Sequence, residues 1–332
     1  LAFIVDQTQG LWVHDPIGAP RMEASAPERV LPARHPVVCT ALATAIWEVG
    51  LTHHVNAHQL AAEALLVDRT PFDAAVLTNG ARQAVELAIA TVPGNGPVLR
   101  IDAGQAIDVP AGTRAVVAAL DGTRGLAPEQ WLVQLRDACV DAGAAWIADE
   151  TRCGLGRTGK LFGYQHDPVL PDRVALGDAL GGSTLSAGAV LGPRDALQGH
   201  ACVEGRSPLN AIAAHATLTV LRDERLVERV ADLGSTLIAG LRGLQEEIVR
   251  VERESDGFFS PGMQIAQVDG LGLLAFLSLK ENVADQLVAR LADKGLYVCA
   301  SAPDTLRISP PLTLHDHELD WLIGQLRSCI WT

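Results

Sequence analysis

DETRCGLGRTGKLFGYQHDPVLPDRVALGDALGG, residues 149–182, is the stretch on which the fold turns. The apolar run Ala144-Ala145-Trp146-Ile147-Ala148 leads into it and ends on the acidic pair Asp149-Glu150, as a buried strand ends at a sheet edge. A glycine-rich turn follows, then a second short strand over 173–176, and then Gly177-Asp178-Ala179-Leu180-Gly181-Gly182. Outward from here the chain alternates strand and helix patterns, which predicts an α/β fold. Upstream, 37–49 is apolar at helical spacing directly after Pro36, and 56–67 reads as a second helix. A short strand at 74–77 precedes Asn79-Gly80-Ala81, which opens a helix to residue 90. Residues 96–107 contain a short strand, 115–120 form a buried one, and 128–142 an amphipathic helix with proline near its first turn. Downstream come a strand at 187–191 and a nearly continuous helical stretch at 211–250, broken near Asp223-Glu224. From about residue 251 the pattern is that of a separate α/β lobe, entered at Ser260-Pro261-Gly262. Its strands fall at 264–267, 271–279, 297–300 and 305–308, and its helices at 282–293 and 315–330.

The chain has 332 residues, 48% of them hydrophobic and 20% charged, which suits a globular protein of two subdomains. No apolar run approaches the ~20 residues of a membrane helix. The opening residues lack the basic start and long apolar stretch of a signal peptide. A net charge of −13 with scattered basic residues argues against nucleic acid and against anionic membranes. Cys39, Cys139, Cys153, Cys202, Cys299 and Cys329 are widely spaced and form no CxxC pair, so neither disulfides nor a zinc site is expected, and a reducing cytoplasm fits. Only three lysines occur, Lys160, Lys280 and Lys294, so any chemistry that needs an amine has three candidates.

The 149–182 stretch resembles the core motif of the class III aminotransferases of the acetylornithine/ornithine type: a strand ending in Asp-Glu, a GxGRTGK turn, and a strand leading to Lys-Ala-Leu-Gly-Gly. Other segments resemble the family in the same order. Gly10-Leu11-Trp12-Val13-His14-Asp15 is similar to its opening strand pair, Arg34-His35-Pro36 to its His-Pro turn, and Asn79-Gly80-Ala81 to its phosphate cradle. Leu306-Arg307-Ile308-Ser309-Pro310-Pro311-Leu312 is similar to the strand that carries its carboxylate-binding arginine. The resemblance implies the fold type I architecture of pyridoxal-phosphate enzymes. That is a large domain with a mostly parallel, seven-stranded-type sheet and a small C-terminal α/β domain, divided here as 1–35, 36–250 and 251–332. It implies a homodimer with sites at the interface. It also implies ancestral cofactor positions at Asn79, Gly80, Ala81, Asp149 and Arg152, and a substrate position at Arg307. The chemistry accounts for the residue types. A carboxylate such as Asp149 keeps the pyridine nitrogen protonated, backbone N–H groups at a helix start hold phosphate, and a lysine forms the Schiff base.

The pattern breaks where that lysine belongs. The residue before Ala-Leu-Gly-Gly is Asp178, and an aspartate forms no imine. The other departures are Thr151-Arg152 in place of Val-Gln, a much shortened 92–114 stretch without an aromatic-His-Gly turn, Asp121-Gly122-Thr123-Arg124-Gly125 in place of a Glu-Pro…Gly-Glu-Gly element, and Glu204-Gly205-Arg206-Ser207-Pro208 in place of a Gly-Ser-Thr-Phe turn. Together they lead us to expect a pseudoenzyme or repurposed member that forms no internal aldimine and has no cofactor. Its partners would be a second copy of itself, an active aminotransferase, or a small amino-acid-like ligand. The alternatives are cofactor-independent chemistry in the same pocket and an atypical pyridoxal-phosphate aminotransferase. Asp149 and Asp178, buried together, call for a cation, and Arg152 is expected to pair with one or both and to block cofactor entry. No metal is expected: His53 and His54 are adjacent and point apart, and His315 and His317 suit a helix start. Cys153, between arginines, reads as a small buried thiol.

Overall fold

A computed structural model describes residues 7–9, 11–14, 20–48, 55–200, 207–255 and 262–331. Gly10, Asp15, His53, His54, Cys202, Glu204, Gly205, Arg206, Ser260 and Pro261, all named above, lie outside the described residues.

The chain opens with β1 (Gln7–Gln9), β2 (Trp12–His14) and β3 (Pro20–Glu23), followed by helices α1 (Pro36–Glu48) and α2 (Ala57–Val67). The α/β body is β4 (Ala74–Thr78), α3 (Ala81–Ala90), β5 (Val98–Ile101), β6 (Ala115–Ala118), α4 (Trp131–Ala142), β7 (Ala145–Glu150), β8 (Arg173–Leu176), β9 (Gly188–Gly192) and α5 (Arg194–Leu197). Two long helices follow, α6 (Pro208–Asp223) and α7 (Leu226–Glu254). The remainder is β10 (Ile265–Leu271), β11 (Leu274–Leu279), α8 (Ala284–Asp293), β12 (Leu296–Tyr297), β13 (Cys299–Ala302), β14 (Thr305–Ile308) and α9 (Asp316–Trp331).

The central sheet runs β4-β9-β8-β7-β6-β5. Strands β5 to β8 are parallel, and β9 lies antiparallel between β8 and β4. Its inner strands, Ala-Val-Val-Ala in β6 and Gly-Ala-Val-Leu-Gly in β9, are buried throughout, because helices cover both faces. On one face α3 and α5 close over Val76, Val117, Ile147 and Val190; on the other the core continues through α4, α6 and α7. The expected seven strands are six among the described residues, and the 92–114 stretch supplies one of them, β5. The helix expected from residue 128 starts at Trp131, because Gln130 takes a left-handed conformation (φ 64°) that no helix continues through.

Two smaller sheets flank this body. In one, β3 pairs in parallel with β12, so residues near the start of the chain share a sheet with residues near its end. The other is antiparallel, β10-β11-β14-β13. No helix among the described residues is long and apolar enough to cross a membrane.

Candidate active site

Because β9 is antiparallel to both β8 and β4, the C-terminal ends of β4, β6, β7 and β8 meet at one edge of the sheet. In open α/β sheets a crevice at this edge is where ligands bind. The topology therefore brings together Asn79 after β4, Asp121 after β6, Asp149 at the end of β7 and Asp178 after β8.

Gly80 begins α3 with φ 150°, a conformation that side chains rarely adopt. A Cβ placed on it would stand 2.4 Å from Ser186 Oγ and 2.9 Å from Asp178 Oδ1. Only glycine lets these two side chains lie against the helix start. Gly80 brings no side chain to cap the first turn of α3, and Gln83 Oε1 accepts from Asn79 N just before it at 2.7 Å. Ala81 and Arg82 in that turn line an open cavity of about 290 Å³ with Val85, Glu86, Arg100 and Thr151. The Asn79 side chain faces the other way: its Oδ1 accepts from Ser207 N (3.2 Å) and Asn210 Nδ2 (3.0 Å) at the start of α6.

The two aspartates expected to share a cation each have a different partner. Asp178 is half-buried, and its Oδ1 accepts from Ser186 Oγ at 2.5 Å. Asp149 Oδ1 accepts from Thr151 Oγ1 (2.6 Å) and Thr151 N (3.1 Å), a local turn closed on its own loop. Arg152 pairs with neither, which corrects the expected ion pair. Its Nε donates to Asp121 Oδ2 at 2.8 Å and its Nη2 to Asp121 Oδ1 at 3.2 Å. The reason is burial. The Asp121 side chain is fully enclosed, so its charge demands a permanent cation, whereas Asp149 and Asp178 are less buried and accept from the Thr151 and Ser186 hydroxyls. The Arg152 side chain remains 40% exposed. Cys153 is buried as expected, and its Sγ donates to Asp121 Oδ1 at 3.1 Å. Burial, the neighbouring Asp121 and Glu150 carboxylates and that hydrogen bond push the thiol well above its ordinary value, so it is no nucleophile.

Two charged residues at this edge escaped the sequence reading as individuals, although both stand in the motif. Glu150 is fully buried beneath the crevice and accepts from Gly163 N and Tyr164 N, both at 2.8 Å. Burial pushes its carboxyl up to about 7, Asp149 and Asp121 add to the rise, and the two N–H groups oppose it. Arg157 is also fully enclosed. Its guanidinium donates to the carbonyls of Pro27 (3.1 Å), Arg29 (2.9 Å), Leu273 (3.1 Å) and Pro310. Burial lowers its pKa to about 9, which still leaves it a cation at neutral pH.

Arg307 lies on β14 opposite Phe276 and Cys299. Its Nε is buried without a hydrogen-bond partner, and it makes no ion pair among the described residues. All three lysines are exposed. Lys160 Nζ donates to Gln165 O at 2.7 Å, Lys280 follows β11 and Lys294 follows α8, and none lines the cavity. No cluster of three or more metal-ligating side chains occurs among the described residues.

For pyridoxal phosphate, the residues fit in part. An uncapped helix start opens on a cavity bordered by two arginines, and a carboxylate stands at the end of β7. These suit its phosphate and its ring nitrogen. What is missing is an amine within the crevice to bond it.

The aminotransferase class III profile matches residues 116–330. An ornithine aminotransferase of Macrococcus caseolyticus is 32% identical over 203 residues, which are 59% of this chain and 47% of that protein. An acetylornithine aminotransferase of Mycobacterium tuberculosis is 35% identical over 204 residues, 60% of this chain and 47% of that protein. The match thus spans about half the length of these curated relatives. Among solved structures, the acetylornithine aminotransferase of Elizabethkingia anophelis superposes with a TM-score of 0.82 at 23% identity, covering 99% of this chain and 94% of its own. A Toxoplasma gondii ornithine aminotransferase reaches 0.80 at 20% identity, covering 100% and 90%, and carries pyridoxal phosphate at partial occupancy in its active site. At these identities the structures speak to the fold, which is the one the sequence implied. The expectation of no cofactor is corrected by the same comparison: the matched family is pyridoxal-phosphate-dependent.

Proposed function

The chain belongs to the class III aminotransferase family, and we propose that within it this protein holds an amino-acid-like ligand and a non-covalent cofactor without lysine-dependent transamination. The observation that carries this reading is Asp178, which follows β8 where the family has its lysine and is hydrogen-bonded to Ser186, with every lysine outside the crevice. In this reading the Gly80 and Ala81 amides receive the phosphate, and Asp149 keeps the ring nitrogen protonated. Arg307, with no acid of its own among the described residues, takes the ligand's carboxylate through its planar fork. Pyridoxal phosphate, when bound, supplies an electron sink. Nothing in the crevice supplies the amine that would carry a proton between ligand and cofactor. We place the protein among pseudoenzymes or repurposed members on this ground.

The test is to add pyridoxal phosphate, reduce with borohydride and weigh the protein. The wild type should carry no stoichiometric adduct, and Asp178→Lys should gain one at position 178. An adduct on Lys160, Lys280 or Lys294 of the wild type would overturn the reading. A second reading, an atypical but active aminotransferase, is favoured by the curated relatives, which are named ornithine and acetylornithine aminotransferases. Turnover of either amine with a 2-oxo acid by wild-type protein would establish it.

We propose a homodimer, with an active aminotransferase as the rival partner. Val37, Ile46 and Trp47 on α1, and Val55 and Leu60 at α2, are exposed, Trp47 by 90%. Apolar surface of this kind calls for a cover. Sedimentation should show a dimer at micromolar concentration that Trp47→Glu weakens; a stable wild-type monomer would refute it.

A further inference from the structure

Away from the crevice, two histidines face each other across the packed helices α2 and α6. His58 lies in the first turn of α2 and His215 in the middle of α6, both half-buried. Their Nδ1 atoms are 3.0 Å apart, and the ring planes are inclined at 55°. We infer that this pair is an acid-sensitive latch between α2 and α6, closed when the two rings hold at most one extra proton and opened by a second.

The argument is proton counting. Two ring nitrogens sit at 3.0 Å only if one carries a hydrogen and the other a lone pair. In the uncharged pair one ring is the Nδ1–H tautomer and the other the Nε2–H tautomer. A first added proton goes to the free Nε2 of the donor ring. That ring becomes a cation, still donates through Nδ1, and the contact strengthens. A second proton has only the acceptor Nδ1 left to occupy. Two N–H groups then point at each other between two positive rings, and the contact breaks.

The surroundings oppose the second proton. Burial lowers the proton affinity of His215, and His58 and Arg222 lower it further. Arg222 is tied to Asp223, with Asp68 nearby at the end of α2. Glu63, one turn along α2 from His58, is engaged by Gln59 Nε2 and Leu77 N. Strand β4, against α2, carries no charge, and neither do residues 36–47 of α1, against α6. The turn holding Asp178 also abuts α6, but that carboxylate faces Ser186. From α7, Arg229 turns to Leu314 O, and Glu228 stands beside it in the first turn. No carboxylate makes an ion pair with either ring among the described residues. Burial and the neighbouring positive charges oppose the second proton, so the latch holds at neutral pH and yields only on acidification.

Opening would be felt at the crevice. Ser207 and Asn210, which hold Asn79, lie on the start of α6, and Asn210 is about 7.5 Å along the axis from His215. The inference does not depend on the proposed function. The experiment is hydrogen exchange of the wild type and His215→Asn at pH 7.5 and 5.5, corrected for intrinsic rates, with α9 as internal reference. The asparagine amide stands where Nδ1 stood; its nitrogen can donate to a neutral His58 and its oxygen can accept from a protonated one, so the contact survives at either pH. Wild-type α2 should lose at least tenfold more protection than α9 on acidification, and the variant less than threefold. Equal changes in α2 and α9 of the wild type, or an equal loss in the variant, would overturn the latch. His58→Asn gives the same comparison from the other helix should His215→Asn fail to fold.

Discussion

The turn after β7 and the turn after β8 leave the same edge of one sheet, and both belong to the 149–182 motif. Residues 154–158 are fully buried around Arg157, whose guanidinium gathers carbonyls from the start of the chain, from the β10–β11 turn and from Pro310. In the other turn Asp178 is half-buried and meets one serine hydroxyl. The first turn joins three parts of the fold, so its Gly-Arg-Thr-Gly sequence is bound by packing. Asp178 is bound only by chemistry, and a residue of that kind can change without unfolding the protein. The difference teaches which part of a family motif reports architecture and which reports activity.

The comparison breaks most visibly if Arg157 is dispensable. Arg157→Met removes the donor to four buried carbonyls, and unmade buried hydrogen bonds cost about 1–3 kcal/mol each before relaxation. We expect a loss of about 3–5 kcal/mol, seen as a lower urea midpoint. A loss under about 1 kcal/mol would mean that the turn is not the junction argued here.

Glu150 tests the floor beneath both turns. Burial pushes its folded pKa up to about 7, above the ordinary carboxyl value of 4.5. Between those values the folded state holds a proton that the unfolded chain has released. Its contribution is therefore greatest below about pH 4.5 and is lost as pH rises through 7, for a total of about 3 kcal/mol. Glu150→Gln mimics the protonated carboxyl and should remove that slope, so that wild type and variant lie closest toward pH 5 and diverge toward pH 8, where the variant is the more stable. Parallel profiles would show that Glu150 is not held protonated.

Arg152→Ala comes next. It strands the enclosed Asp121 carboxylate, yet the arginine is 40% exposed and water can enter in its place. A loss of about 1–3 kcal/mol is expected, and Asp121→Asn in the same background should restore part of it. Additive losses from the two substitutions would dissolve the pair.

How far the sequence reveals this molecule follows the same division. Helix and strand positions were readable because amphipathic periodicity and buried apolar runs are local signals: α6 and α7 part at Asp223-Glu224 as their pattern requires. The proposal that Asp178 replaces the family's lysine needed only the motif. The partner of Arg152 was not legible, because Asp121 is 31 residues away in sequence and its enclosure depends on β6 lying beside β7. The same holds for the carbonyls around Arg157, which come from positions up to 153 residues distant. Assigning Arg152 to Asp149 or Asp178 took proximity in the motif for proximity in space. The family pattern named residues at one edge, but burial decided which acid needed the cation.

The smallest expected effect is the sharpest on the comparison. Asp178→Ala deletes one hydrogen bond to Ser186 Oγ and a negative charge beside the start of α3. A half-exposed anion at a helix N-terminus contributes about 0.3–1 kcal/mol, and the serine can turn to water. The variant should therefore melt within a few degrees of the parent, while Arg157→Met melts far below it. Its stability should also depend less on salt, since the dipole interaction is screened and the packing around Arg157 is not. If Asp178→Ala were as costly as Arg157→Met, position 178 would have acquired a structural role in this chain. The turn after β8 would then be held by packing like the turn after β7, and the reading of Asp178 as a purely chemical change would have to be abandoned.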